Sequence, residues 1–211
     1  MVKGLIFDMD GTLWDSSENV VASWNEVVAR EYTPDRVITV DEIQSAMGLP
    51  MDAFAARIFP ELPKERQLEL LELCGNNEND YLRVHGGELY PEVEETLKKL
   101  KEKYGLYIVS NCQSGYIEAF LEYYGFEDYF EDIECYGNNK LSKGENIRNI
   151  IERNGLEEAA YIGDIQGDYN ATMEAGAKFI FAAYGFGEVD AETAVINKFA
   201  ELDKVADEVL G

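Results

Sequence analysis

The strongest constraint on this chain is a series of short apolar runs separated by longer amphipathic stretches. Gly4-Leu5-Ile6-Phe7, Leu106-Tyr107-Ile108-Val109, Ala159-Ala160-Tyr161-Ile162 and Lys178 to Ala183 are too short for helices and too apolar for exposed loops. They read as strands buried on both faces, the pattern of a parallel sheet covered by helices. Ile133-Glu134-Cys135-Tyr136 is a weaker fifth strand, expected at an edge. The class is therefore α/β.

The intervening stretches carry helix signals. Glu92 to Lys103 follows Tyr90-Pro91, and Ser114 to Tyr124 sets Ile117, Phe120, Leu121 and Tyr124 on one face before Gly125. Ser142-Lys143-Gly144-Glu145 has capping-box spacing ahead of Ile147, Ile150 and Ile151, and Asn154-Gly155 ends that helix. The alternation breaks between Trp14 and about His85, where no strand is evident. Val20, Val21, Trp24, Val27 and Val28 form a helical stripe, and Leu68, Leu70, Leu71 and Leu73 suggest a second helix. We expect a helical block, 14–86, inserted after the first strand and returning through His85-Gly86-Gly87, with 1–13 and 87–211 forming the sheet domain. Thr193 to Leu210 is expected to close the chain as one or two polar helices.

Composition narrows the function. There are 18 basic and 42 acidic residues, a net charge of −24, which argues against nucleic acid and anionic membranes as partners, since both are bound through basic surfaces. No apolar run approaches the roughly 20 residues of a membrane span, and the N-terminal run is expected to be the first strand rather than a signal peptide. Cys74, Cys112 and Cys135 have neither disulfide-frame nor zinc spacing, so reduced thiols and a cytoplasmic location are expected. The charge also repels anionic substrates at long range, so a phosphate site must draw on a local cation and backbone amides.

Three strands end in polar residues. The first runs into Asp8-Met9-Asp10-Gly11-Thr12, the second into Ser110-Asn111, and a third into Gly163-Asp164-Ile165-Gln166-Gly167-Asp168. A parallel sheet gathers its carboxyl ends along one edge, so Asp8, Asp10, Ser110, Asn111, Asp164 and Asp168 should meet in one crevice. Four carboxylates side by side raise one another's pKa unless a cation neutralises them. Oxygen-only ligands, without His or Cys, point to magnesium rather than zinc. Plainer readings exist for each: Asp-Gly is a common turn, Asp164 and Asp168 fit a turn and an N-cap, and Ser110 fits a strand-end hydroxyl. A calcium loop at Asp8-Met9-Asp10-Gly11 is disfavoured, because its glycine comes too early for an EF-hand and a strand precedes it.

Leu-Ile-Phe-Asp8-Met-Asp10-Gly-Thr12-Leu resembles the opening motif of the haloacid dehalogenase-like hydrolase superfamily. Ser110-Asn111, Lys143 and Gly163-Asp164-(three residues)-Asp168 stand at its second, third and fourth motif positions, in order, across most of the chain. The insert resembles the helical C1 cap of the phosphoglycolate phosphatase and β-phosphoglucomutase-like subfamily. The resemblance implies a Rossmann-like core and a magnesium-dependent phosphatase acting on small-molecule phosphate esters. It makes Asp8 the nucleophile and Asp10 the general acid and base. Ser110, Asn111 and Lys143 would hold the phosphoryl oxygens. The Asp8 carboxylate, the Asp10 carbonyl and Asp164 would bind Mg2+, with Asp168 ligating through water or steadying Lys143. Lys140, three residues earlier, competes with Lys143 for its role. Asp8 and Asp10, two apart, are expected on one face of a strand.

Asp10 also argues against dehalogenation, which needs no acid there, and the early cap offers no lysine for phosphonate hydrolysis. A phosphomutase shares Asp8 and Asp10, but its relatives use a cap histidine, and none lies between Trp14 and Ile43. A receiver-like phosphoacceptor lacks such an insert. His85, the one histidine, is expected at a hinge or surface. Trp24 is expected in the cap core, Trp14, Asp15 and Ser16 beneath the cap, and Gly48-Leu49-Pro50 is similar to a substrate-contacting cap loop. A monomer is compatible with the sequence.

Overall fold

The structure is a computed structural model and describes residues 2–211. Its centre is a six-stranded sheet built from β1 (Lys3–Phe7), β4 (Gly105–Ser110), β5 (Asp132–Cys135), β6 (Glu158–Gly163), β7 (Lys178–Ala182) and β8 (Ala194–Ile196). The order is β5-β4-β1-β6-β7-β8 and every neighbouring pair is parallel. Between β1 and β4, β2 (Trp14–Asp15) pairs antiparallel with β3 (Glu88–Leu89). Alternation along the central strands separates two apolar layers. Leu5, Phe7, Leu106, Ile108 and Ile162 face one core, whereas Ile6, Tyr107, Val109 and Tyr161 face the other.

The second layer is covered by α8 (Lys143–Arg153), which contributes Ile147 and Ile150, and by α9 (Gln166–Ala175). The capping box that starts α8 is formed in both directions, Glu145 N donating to Ser142 Oγ at 3.3 Å and Ser142 N to Glu145 Oε2 at 2.9 Å. The first layer is covered by α5 (Val93–Leu100), α6 (Tyr116–Tyr124) and α10 (Leu202–Leu210). Gly125, at φ +67°, ends α6. The short α7 (Tyr136–Asn139) links β5 to α8.

The stretch from 17 to 85 is helical throughout its regular elements: α1 (Ser17–Glu31), α2 (Val40–Gln44), α3 (Met51–Ile58) and α4 (Lys64–His85). Trp24 of α1 stacks on Phe59 with ring centroids 6.2 Å apart and tilts over Phe54 at 5.3 Å. α4 packs along α1 and also against α6, so the insert shares one continuous apolar cluster with the sheet's first layer.

Three expectations are corrected. The sequence reading of 14–85 as strandless misses β2, whose two residues pair with β3 and so tie the chain entering the helical block to the chain leaving it. Residues 194–196, expected in a closing helix, form the edge strand β8, and only 202–210 is α-helical. Strands this short bury too little to leave a periodic signal. Finally, β1 ends at Phe7, so Asp8 and Asp10 do not share a face through strand alternation. The Asp8 amide still donates to Ile162 O at 2.9 Å. The chain then turns, with the amides of Thr12, Leu13 and Trp14 converging on Met9 O.

Candidate active site

The carboxyl ends of β1, β4 and β6 and the first turns of α8 and α9 meet at one point. Lys143, the first residue of α8, is buried there with Nζ 3.0 Å from Asp8 Oδ2 and 2.6 Å from Asp168 Oδ1. Lys140 is exposed and lies instead over the Tyr136 ring, 5.0 Å from its centroid. Asp168 uses its other oxygen on the amides of Asp164 and Ile165, at 3.1 and 3.2 Å. Asp164 Oδ2 accepts from Phe186 N at 2.8 Å.

Two glycines make room for Asp164. A Cβ on Gly11, at φ +81°, would lie 2.1 Å from Asp164 Oδ2, and one on Gly185 would lie 2.3 Å from Asp164 Cβ. Either side chain would displace that carboxylate.

Asp8, Asp164 and Asp168 are buried, and one oxygen of each lies within 4.8 Å of the others. Beside Lys143 they leave two uncompensated negative charges, the charge a divalent cation supplies. All three offer hard oxygen donors, the set that suits a hard divalent cation. Burial is the main reason the Asp8 carboxyl is pushed up to about 7, Lys143 opposing and Asp168 adding to the rise. Asp164 is driven well above its ordinary value by burial and then by Asp168 and Asp8. Burial alone would lower the Lys143 ammonium, but Asp168 and Asp8 more than offset it and raise its pKa. These residues therefore fit a bound divalent cation, which would relieve the repulsion that burial amplifies.

Asp10 occupies a different environment. Its Oδ1 accepts from Ser16 Oγ and Tyr116 Oη, both at 2.7 Å. Burial raises its carboxyl to about 6, with Tyr116 and then Ser16 pulling it down. Asp10, Asp8, Ser110 and Asn111 all line a cavity of about 50 Å³ roofed by Trp24, Gly48 and Phe54. Asn111 Nδ2 donates to Gly48 O at 3.0 Å, tying the loop before α3 to the end of β4.

Trp14 and Asp15 do not line this cavity, which corrects their expected place at the site, whereas Ser16 reaches it through Asp10. The Trp14 ring is fully buried against Tyr116 and Phe120, at 5.7 and 5.0 Å, and Asp15 faces Ser17 and Gln44. Trp24 packs in the insert as expected and also reaches the cavity. His85 is exposed at the end of α4, against Tyr81. Sequence reasoning missed Tyr116, Glu78, Gly185 and Phe186. The glycines at 185 and 187, beside Phe186 and just after β7, were the one visible signal, marking close backbone approach at another strand end.

A family model described as haloacid dehalogenase-like hydrolase matches residues 5–182, and the chain belongs to that family. Among similar proteins, the phosphoglycolate phosphatase of Vibrio vulnificus (strain CMCP6) is 28% identical over 98% of this chain and 92% of its own length. That of Aquifex aeolicus (strain VF5) is 26% identical over 98% and 97%. A haloacid dehalogenase-like hydrolase from Bacteroides fragilis shares the fold with a TM-score of 0.82 at 22% identity, over 96% of this chain and all of that one. CbbY from Rhodobacter sphaeroides in complex with phosphate superposes with a TM-score of 0.78 at 19% identity, over 96% of each chain.

Proposed function

We propose that this hydrolase cleaves small phosphate monoesters with Mg2+, through an aspartyl-phosphate on Asp8. The observation that carries the reading is the buried Lys143 ammonium bridging Asp8 and Asp168 beside Asp164. The family and the similarity to phosphoglycolate phosphatases support it. Asp8, the Asp10 carbonyl and Asp164 would hold the metal, which when bound supplies positive charge against the phosphoryl oxygens. Residues 14–86 act as a cap over the core 1–13 and 87–211. The three buried free thiols fit a reducing, cytoplasmic setting.

The chemistry follows from the residues. Asp8 Oδ attacks phosphorus as the bond to the leaving oxygen breaks, and Asp10 delivers its proton to that oxygen. Asp10, now a carboxylate, takes a proton from water, whose oxygen attacks phosphorus. The bond to Asp8 breaks, phosphate leaves, and both residues are restored. Ser110 and Lys143 hold the phosphoryl oxygens, with the amides at the start of α8 nearby. Asn111 adds its remaining amide proton, and Asp168 fixes Lys143 in place. A phosphomutase would need a cap histidine and lysine in the cavity, and among the described residues the cap brings there only one titratable side chain, Glu78.

The test is phosphate release from p-nitrophenyl phosphate and small monoesters. Turnover is expected with Mg2+ and lost in EDTA; metal-independent turnover or none would refute the proposal.

Two further outcomes are expected. The first step needs Asp10 protonated, so its rate falls as pH rises through the Asp10 pKa. Tyr116→Phe removes a hydrogen bond that favours the carboxylate, so the descending limb of kcat/KM should move to higher pH, by up to about one unit. An unmoved limb would separate Asp10 from that pKa. The −24 net charge should also repel a dianionic ester at low ionic strength. Raising salt from about 0.01 to 0.15 M at fixed free Mg2+ should then raise kcat/KM severalfold; a flat or falling profile would contradict it.

A further inference from the structure

The cavity beside Asp10 has an unusual charge balance for an enzyme of anionic substrates. The phosphoryl side holds Lys143 and the oxygens suited to a divalent cation, but the remaining wall has no counterpart. Trp24, Met47, Leu49, Met51 and Phe54 supply apolar surface there, and among the described residues no lysine, arginine or histidine lines the cavity. Its one ionisable cap group is Glu78, buried on the inward face of α4. Glu78 Oε2 accepts from Trp24 Nε1, and Oε1 accepts from Gln113 Nε2 at 3.0 Å. These bonds fix the carboxyl between α1, α4 and the loop after β4, with lone pairs to spare. A cleft that does carry cations, Lys64 and Lys140, is separate and shares only Met51 and Gln113 with the cavity.

We infer that the leaving group of the natural substrate carries no negative charge, and that Glu78, beside the Trp24 and Phe54 rings, selects small phosphate esters of amino alcohols over those of hydroxy acids. The inference rests on the phosphatase reading and concerns the leaving alcohol alone. Burial raises the Glu78 carboxyl to about 7, with Gln113 and Trp24 opposing the rise. Ionised, it repels a second carboxylate at short range with no cation in the wall to offset it, whereas an ammonium beside it favours the ionised form. An ammonium placed against Glu78 gains a charge-assisted hydrogen bond, and aromatic faces favour the same charge. The small volume suits a leaving group of a few heavy atoms. The phosphoglycolate phosphatases to which the chain is similar would on this account differ from it in the cap.

Three esters of equal carbon count separate charge from size: O-phosphoethanolamine, ethyl phosphate and 2-phosphoglycolate. With wild type and saturating Mg2+, kcat/KM should fall in that order, the first exceeding the last by at least about tenfold. Glu78→Gln should compress that ratio severalfold, with ethyl phosphate moving least; a purely structural role would lower all three alike and would overturn the assignment. Should Glu78→Gln fail to fold, Met51→Lys puts a cation in the wall and should raise 2-phosphoglycolate relative to ethyl phosphate. Failure of that shift counts against the inference. If p-nitrophenyl phosphate is hydrolysed through Asp8 while 2-phosphoglycolate equals or outruns O-phosphoethanolamine, or none of the three esters reacts, the inference fails and the phosphatase reading stands. If p-nitrophenyl phosphate is also inert, both fail together.

Discussion

Asp8→Asn should lose at least about three orders of magnitude in kcat while keeping its fold. The amide is nearly isosteric with the carboxylate, but its oxygen is a far poorer nucleophile toward phosphorus. Lys143 keeps Asp168 at 2.6 Å, so its ammonium remains paired. Removing one of three crowded carboxylates also relieves repulsion, so the melting temperature without metal should be unchanged or higher. Affinity for Mg2+ should fall at the same time, because one ligand has lost its charge. The combination is diagnostic. Lost turnover with an undiminished melting temperature marks a chemical role, whereas turnover within tenfold of wild type would remove Asp8 from the mechanism.

Lys143→Met should be the more damaging substitution for stability. It keeps most of the buried stem but leaves Asp8 and Asp168 without their shared cation. Breaking a buried ion pair from one side costs about 3–5 kcal/mol, on the order of 10 °C in melting temperature for a chain of this size. The loss should depend on pH, with a sign that can be worked out. Burial already lifts Asp8 to about 7, and Lys143 opposes that rise. Without Lys143 the folded pKa goes higher still, so the folded state binds more protons than the unfolded one from about pH 4 upward. Stability of the metal-free variant should therefore fall as pH rises across that range, and the deficit against wild type should be largest at alkaline pH. Mg2+ should restore part of it. Thermal melts at pH 5 and pH 8, with and without Mg2+, check this; a deficit that is small or grows toward acid pH would contradict the pairing. Activity should fall by at least about a hundredfold as well, since the phosphoryl group loses its fixed cation.

The sequence determined by itself what depends on local composition and period. Runs such as Leu5-Ile6-Phe7 and Leu106-Tyr107-Ile108-Val109 are apolar at every position because both faces of a parallel strand are covered, so the sheet was legible. Asp8, Ser110 and Asp164 stand where such runs stop, and one edge of a parallel sheet collects those stops, so their meeting could be read before any coordinates. The Ser142–Glu145 box was legible because its partners are three residues apart.

Only the tertiary structure decided what depends on contacts between distant segments. Tyr116 reads as one more apolar position of a helix until its hydroxyl meets Asp10, 106 residues away. Glu78 reads as a solvated helical acid until α4 turns it toward Trp24 and Gln113. Phe186 offers nothing but a backbone amide, and Gly185 is needed only because Asp164 packs where its Cβ would be. The choice between Lys143 and Lys140 likewise follows from which residue the first turn of α8 points at the sheet edge, one buried against two carboxylates and the other exposed over Tyr136. Periodicity records which face of an element is buried. It does not record what that face is buried against, and at this site the partner gives each side chain its chemistry.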